Sequence, residues 1–198
     1  YAFKEKVIES FNMQIPQPSK YPILYARVAQ GVKVLNGEYT YTRYALKAEK
    51  RFYIKNLGKP QFSIEAGLTD GKVPQHKLNS SKGTNDTKDF LLVSTENAFE
   101  TMLPYEFFSS EYIHFHFRHS FGSLLFKSKK FAPELMLMSS AGFGALSYKG
   151  LHAGESFKTM EKGYYESGLL INNILKLNFT TFGVGAFYRY GPYELAKT

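Results

Sequence analysis

Tyr112-Ile113-His114-Phe115-His116-Phe117-Arg118-His119-Ser120-Phe121-Gly122 is the stretch on which the fold of this chain turns. Side chains in an extended strand point to alternate faces with period two. Ile113, Phe115, Phe117 and Phe121 therefore share one face, and His114, His116, Arg118 and Ser120 the other. A sheet of such strands has to hide its apolar face, either inside a soluble core or against lipid.

The same two-faced pattern recurs along the chain. Tyr44, Leu46, Ala48, Phe52 and Ile54 oppose Arg43, Lys47, Glu49 and Arg51. Phe62, Ile64, Ala66 and Leu68 oppose Ser63, Glu65 and Gly67, and Phe182, Val184, Ala186, Tyr188 and Tyr190 oppose Thr181, Gly183, Gly185 and Arg189. The alternation predicts strands at roughly 1–8, 22–31, 40–54, 61–69, 111–126, 134–148, 162–175 and 178–190. A short helix is expected within Ser94 to Leu103, with Ser94 or Thr95 as its N-cap.

Connections carry a second signal. Lys55–Pro60, Ser128–Lys130 and Lys176–Asn178 are short, whereas Val32–Tyr39, Asp70–Ser110 and Lys149–Glu161 are longer. Outer-membrane barrels alternate in this way because tight periplasmic turns occupy one side and long extracellular loops the other. The expected fold is all-β, an antiparallel up-and-down transmembrane β-barrel, partial, with about eight strands visible and more in the full protein. Residues 1–198 are then part of one outer-membrane barrel domain with a long extracellular loop at about 70–110. With short turns periplasmic, the strand at 178–190 runs outward, so both chain ends lie outside. Complete bacterial barrels end in the periplasm, which places at least one returning strand beyond the C-terminus of this sequence and more beyond its N-terminus.

Composition narrows the function classes. No run approaches the ~18 apolar residues of a membrane helix; the longest, Phe90–Val93 and Leu135–Met138, are far shorter. The aromatic fraction of 17% is Tyr and Phe without Trp, residues that favour strands, and Tyr suits membrane–water boundaries. The absence of cysteine removes thiolate metal sites, disulfides and Cys nucleophiles, and fits passage through an oxidising compartment. The net charge of +8 suits anionic headgroups or an anion-attracting channel. Its basic residues are scattered apart from Lys127, Lys129 and Lys130, with no basic helix or stripe, so nucleic acid is not an expected partner. The chain opens at Tyr1 without a signal peptide and reads as a processed form or a piece of a longer polypeptide.

Several segments together resemble a known family. They are Gly58-Lys59-Pro60 followed by Glu65-Ala66-Gly67 and Gly71-Lys72-Val73-Pro74; Phe99-Glu100-Thr101-Met102-Leu103-Pro104-Tyr105-Glu106-Phe107; Tyr164-Tyr165-Glu166-Ser167-Gly168; and Tyr188-Arg189-Tyr190-Gly191-Pro192-Tyr193. Their order and spacing, over roughly Tyr21 to Thr198, resemble the C-terminal barrel of Bacteroidota outer-membrane proteins with an N-terminal carboxypeptidase-regulatory-like domain. Those proteins have no assigned function, and their barrels are distantly similar to the BamA-like surface-antigen superfamily. The resemblance implies a further strand after Arg189-Tyr190-Gly191-Pro192-Tyr193, in agreement with the topology. This sequence contains neither the regulatory-like domain nor periplasmic BamA-type repeats, so the resemblance implies no insertase role.

Candidate chemistry is sparse. His114 and His116 share a face and are the weak metal candidates; a polar lumen accounts for them without a metal, and no cofactor is expected. Ser120 beside His116 or His119 suggests hydrolase chemistry, but no Gly-x-Ser-x-Gly elbow and no third member accompany it, and no catalytic residue is assigned. His119 falls on the apolar face. Arg43, Glu65, Arg118, Glu166 and Arg189 are expected to line the lumen, either setting ion preference or holding a plug, or simply bonding to one another to brace a narrow barrel. Ile64, Phe115, Phe117, Phe182 and Val184 are expected to face lipid. The strand glycines Gly142, Gly144, Gly183 and Gly185 read as bends or close backbone approaches. Lys82–Lys88 reads as a polar loop tip, without the strand and helix of a phosphate loop.

These readings point to a non-enzymatic outer-membrane barrel, an accessory or platform component of an envelope assembly or translocation complex. Its expected partners are outer-membrane lipid or lipopolysaccharide, and other envelope proteins through the long loop or the lumen. The alternatives are a porin-like channel for small anionic solutes, a soluble lipocalin-like ligand binder and, last, a barrel phospholipase.

Overall fold

The computed structural model describes residues 1, 3, 7–10, 13–16, 21–33, 38–85, 96–122, 131–152, 154, 157–177 and 180–194. Its elements are strands, apart from 3-10 turns at Gln75–Lys77 and Lys149–His152. They are β1 (Val7–Ser10), β2 (Met13–Pro16), β3 (Ile23–Gly31), β4 (Tyr41–Arg51), β5 (Lys59–Asp70), β6 (Asn79–Ser80), β7 (Phe108–Ser109), β8 (Glu111–Ser120), β9 (Glu134–Ala145), β10 (Tyr164–Leu177) and β11 (Thr180–Tyr190). Seven of them form one antiparallel sheet in the order β3-β4-β5-β8-β9-β10-β11, while β1 pairs only with β2 and β6 only with β7. β3 and β11 are the outer strands and are not joined, so the described strands form an open meander with no closed barrel.

Seven of the expected strands correspond to this sheet. The first, 1–8, does not: the chain there contributes β1 of a separate hairpin. Tyr1 instead pairs with the free edge of β3, where it accepts from the Leu24 amide at 3.0 Å and donates to the Leu24 carbonyl. The strand expected at 111–126 stops at Ser120, where Gly122 takes a φ of +73° that a pleated strand cannot continue. Residues 121–133 thus separate β8 from β9, longer than the expected turn at Ser128–Lys130, which lies outside the described residues. The strand ends at Arg51, Lys59, Ser120, Glu134, Leu177 and Thr180 share one end of the sheet; those at Gly31, Tyr41, Asp70, Glu111, Ala145 and Tyr164 share the other. The connection 121–133, on the side expected to carry short turns, exceeds 32–40 on the other, so the expected strict alternation of short and long connections does not hold.

No helix occurs among the described residues from Glu96 to Leu103. The backbone donors there are committed across the chain: Phe99 N–H reaches the Lys82 carbonyl at 2.8 Å, and the next two amides bond a strand carboxylate. These three consecutive amides are thereby withdrawn from helical pairing with the preceding turn.

The register sorts side chains by face as the alternation requires. Glu65 lies opposite His114, His116 opposite Ser63 and Ser140, and Glu166 opposite Ser140 and Arg189. This polar face is the covered one. The buried clusters lie beneath the 71–110 connection: Phe99, Met102, Phe107, Met160 and Tyr164 in one, and Val73, Leu78, Phe108 and Leu146 in the other. On the opposite face Leu46, Ile64, Ile113, Phe115, Leu169, Ile171, Phe182 and Val184 remain uncovered, Val184 with 69% of its surface exposed. The sheet is apolar outward and polar inward.

Candidate functional site

The covered face is crossed by a strap, residues 96–110, and three of the charged side chains expected on that face, Arg118, Glu166 and Arg189, are bonded to it. Glu166, 2% exposed on β10, accepts from the strap amides of Glu100 and Thr101 at 2.8 and 2.9 Å and from the Thr101 hydroxyl at 2.7 Å. Tyr164 adds a fourth donor, its hydroxyl, at 3.3 Å. One carboxylate thus satisfies two strap amides that have no ladder partner, the arrangement that keeps buried backbone groups from going unpaired.

Arg189, 3% exposed on β11, makes the second clamp. Its two terminal nitrogens donate to the two carboxylate oxygens of Glu106 at 3.1 and 2.9 Å. The guanidinium carbon sits 4.6 Å from the Tyr164 ring centre and 5.4 Å from that of Phe107. Burial pushes the Glu106 carboxyl up, but hydrogen bonds from Arg189, Lys158 and the Leu103 amide outweigh it and hold the group below its ordinary 4.5. Arg118 on β8 makes a third contact, 3.5 Å from Glu100. At the margins Asn97 donates to Glu49 at 2.7 Å, and Arg43 to Thr69 at 3.3 Å and to the Lys77 carbonyl.

Apolar groups fill the space between the clamps. The Phe99 ring lies 4.9 Å from the His116 ring and 5.0 Å from the Tyr164 ring. Gly142 on β9 makes this possible: a Cβ there would lie 2.9 Å from Phe99 Cζ and 3.1 Å from Met160 Sδ. The strand glycine marks a close approach of the strap, one of the two readings the sequence allowed. Towards the 52–58 end the strap leaves an open cleft of about 820 Å³, whose lining includes Arg51, Lys59, Gln61, Glu96, Arg118 and Ser120.

The structure thus brings together Arg118, Glu166 and Arg189 around one strap, sets Arg43 at its margin, and leaves Glu65 with the Tyr112 hydroxyl at 2.8 Å and Lys82 at 3.8 Å. Glu166 and Arg189 are direct cross-strand neighbours, yet both direct their hydrogen bonds to the strap. His114 bonds Ser81 at 3.3 Å and His116 bonds Ser140 at 3.0 Å. No group of three or more metal-binding side chains occurs among the described residues. Ser120 donates to Glu134 rather than to a histidine. His119 lies on the apolar face as expected, 2.9 Å from the Leu57 carbonyl and 4.3 Å ring to ring from Phe121. Ile64, Phe115, Phe182 and Val184 are exposed there, and Phe117 is half-buried, 4.9 Å ring to ring from Phe62.

The residues missed by sequence reasoning are Asn97, Glu100, Thr101 and Glu106. Phe99–Phe107 stands out as a motif, but its partners lie up to 83 positions away, so no local spacing reveals them.

Fold and site define an all-β sheet domain whose polar face is crossed and partly covered by a segment of its own chain. The chain belongs to the family of unknown function DUF5686, matching its C-terminal domain over residues 1–153. No curated protein and no solved structure matches it.

Proposed function

We propose that the chain is a non-enzymatic outer-membrane β-barrel segment that serves as a membrane platform with a resident plug. One observation carries the reading: the face left uncovered is the apolar one, and it is banded. Towards the long-connection end its strands carry Tyr44, Phe143, Tyr188 and Tyr190; towards the other end they carry Phe62 and Phe182, with Phe52 packed beside Phe62. Between them lie Leu46, Ile64, Ala66, Leu169, Val184 and Ala186, with one aromatic side chain, Phe115, opposite Ile64. Aromatic girdles around an aliphatic band are what a bilayer selects, and soluble monomers rarely leave an apolar patch larger than about 300–600 Å² uncovered. β4, β5, β8, β9 and β11 have 11, 12, 10, 12 and 11 residues, near the roughly 9–11 of a tilted membrane strand. A lipocalin-like binder has the opposite polarity, its apolar side chains facing a ligand cavity.

In this reading Ile64, Phe115, Phe117, Phe182 and Val184 face lipid, and Arg43, Glu65, Arg118, Glu166 and Arg189 face the lumen. The long connections are extracellular, and the partners are outer-membrane lipid or lipopolysaccharide and other envelope proteins. The motif resemblance extends it to a Bacteroidota-like envelope, a preceding carboxypeptidase-regulatory-like domain and further strands that close the barrel. The porin-like alternative differs in one measurable respect. Planar-bilayer recordings of the reconstituted protein are expected to show no steady conductance, because the strap crosses the face that would line a pore. Stable, anion-selective steps would overturn the platform reading in favour of a channel.

A further inference from the structure

We infer that the polar face of the sheet is a recognition surface for an extended acidic peptide, occupied in cis by the strap. The strap is held as a bound peptide is held, by its side chains and spare amides rather than by strand addition. Among the described residues, the ladder contacts of its 96–107 part are isolated parallel bridges at Phe99 and Phe107, to Gly83 and Lys158. The sheet contributes Arg118 to Glu100, Arg189 to Glu106 and Glu166 to two consecutive amides, while Phe99 and Phe107 enter the apolar space between.

That pattern specifies a ligand: two carboxylates six positions apart, a hydroxyl residue directly after the first, and an aromatic residue beside each carboxylate. The fit also leaves capacity unused. Two buried polar atoms of the face, Arg189 Nε and Ser63 Oγ, find no partner among the described residues, and buried donors without acceptors are costly enough that a better-matched ligand gains from filling them. A long connection carrying such a segment is of the kind that usually has a function. The trans ligand is an extended segment of another polypeptide with this acidic–aromatic spacing, and the strap excludes it until displaced. The inference depends on the strap's contacts and not on the membrane placement.

The test uses a fluorescent peptide of residues 96–109 and the folded protein in a micelle that keeps it monodisperse. A segment tethered in cis competes at an effective concentration near millimolar, so the unaltered protein is expected to bind the peptide weakly. The Glu100→Gln/Glu106→Gln double variant loosens the strap but retains Arg118, Glu166 and Arg189, and is expected to bind at least tenfold more tightly. That gain should vanish when the peptide carries the same two substitutions, or when Arg189→Gln is added to the protein. A folded double variant with no gain in affinity, or with equal affinity for the substituted peptide, overturns the proposal. Should the double variant fail to fold, Glu106→Gln alone, with the Glu166 clamp intact, takes its place: tighter binding of the unsubstituted peptide supports the proposal, and unchanged binding overturns it.

Discussion

Glu166 gathers donors from Glu100, Thr101 and Tyr164 around one buried carboxylate, which makes it the residue whose loss should loosen the strap most. Glu166→Ala strands two amides in a buried site and leaves the Thr101 and Tyr164 hydroxyls, 2.7 Å apart, only each other, and hydrogen bonds to a charged group are worth about 1.5–3 kcal/mol each. Because the freed groups relax and some reach water, the expected loss is about 2–4 kcal/mol in urea denaturation in micelles, with Glu166→Gln between that and wild type. Glu106 acts through pH. Its folded-state pKa lies below the ordinary 4.5, so its stabilisation is complete above that value. It is lost as pH falls through 4.5 towards the lower folded value. Limited proteolysis should therefore cut the strap faster below pH 4.5, and Glu106→Gln should cut readily at neutral pH and respond less to acid. A strap equally resistant at pH 3.5 and 7 would refute this role.

At the scale of the element, the strands are decided by alternation and the turns by a few special backbones. Gly58 closes the turn from Ile54 at φ +117°, and a Cβ there would lie 2.1 Å from the Ser120 carbonyl oxygen. Gly58→Ala must both strain that backbone and push β8 away. The expected cost is at least about 1–3 kcal/mol, read as a lowered denaturation midpoint against an Asn56→Gly control. Alternation made β4, β5 and β11 legible almost to their ends, since each carries a period of two. It failed where tertiary contacts govern the backbone: at Glu96–Leu103, whose amides are drawn to Lys82 and Glu166, and beyond Ser120, where Gly122 ends the strand. The uncovered face gives this scale a prediction of its own. Val184→Arg or Phe115→Arg should weaken folding into bilayers by ~2–4 kcal/mol near the midplane, whereas Val184→Leu should be neutral. Equal folding of all three in lipid would count against lipid contact.

For the whole molecule, the distribution of polarity is the central fact. The buried clusters sit on the polar side with the strap, and the aliphatic and aromatic band faces out. The sequence displayed both faces through residues such as Phe115 and His116, but not which one is covered. That depends on Glu106 meeting Arg189 across 83 residues, a pairing with no local signature. The identity of the sheet's polar side chains was therefore legible, and their partners were not. The most direct test of the outward apolar face is refolding of the chain with and without detergent or lipid, followed by heat-modifiable migration on a gel. A compact, heat-sensitive band that forms only with detergent or bilayer is the predicted result. A monodisperse, folded protein in plain buffer would contradict the account.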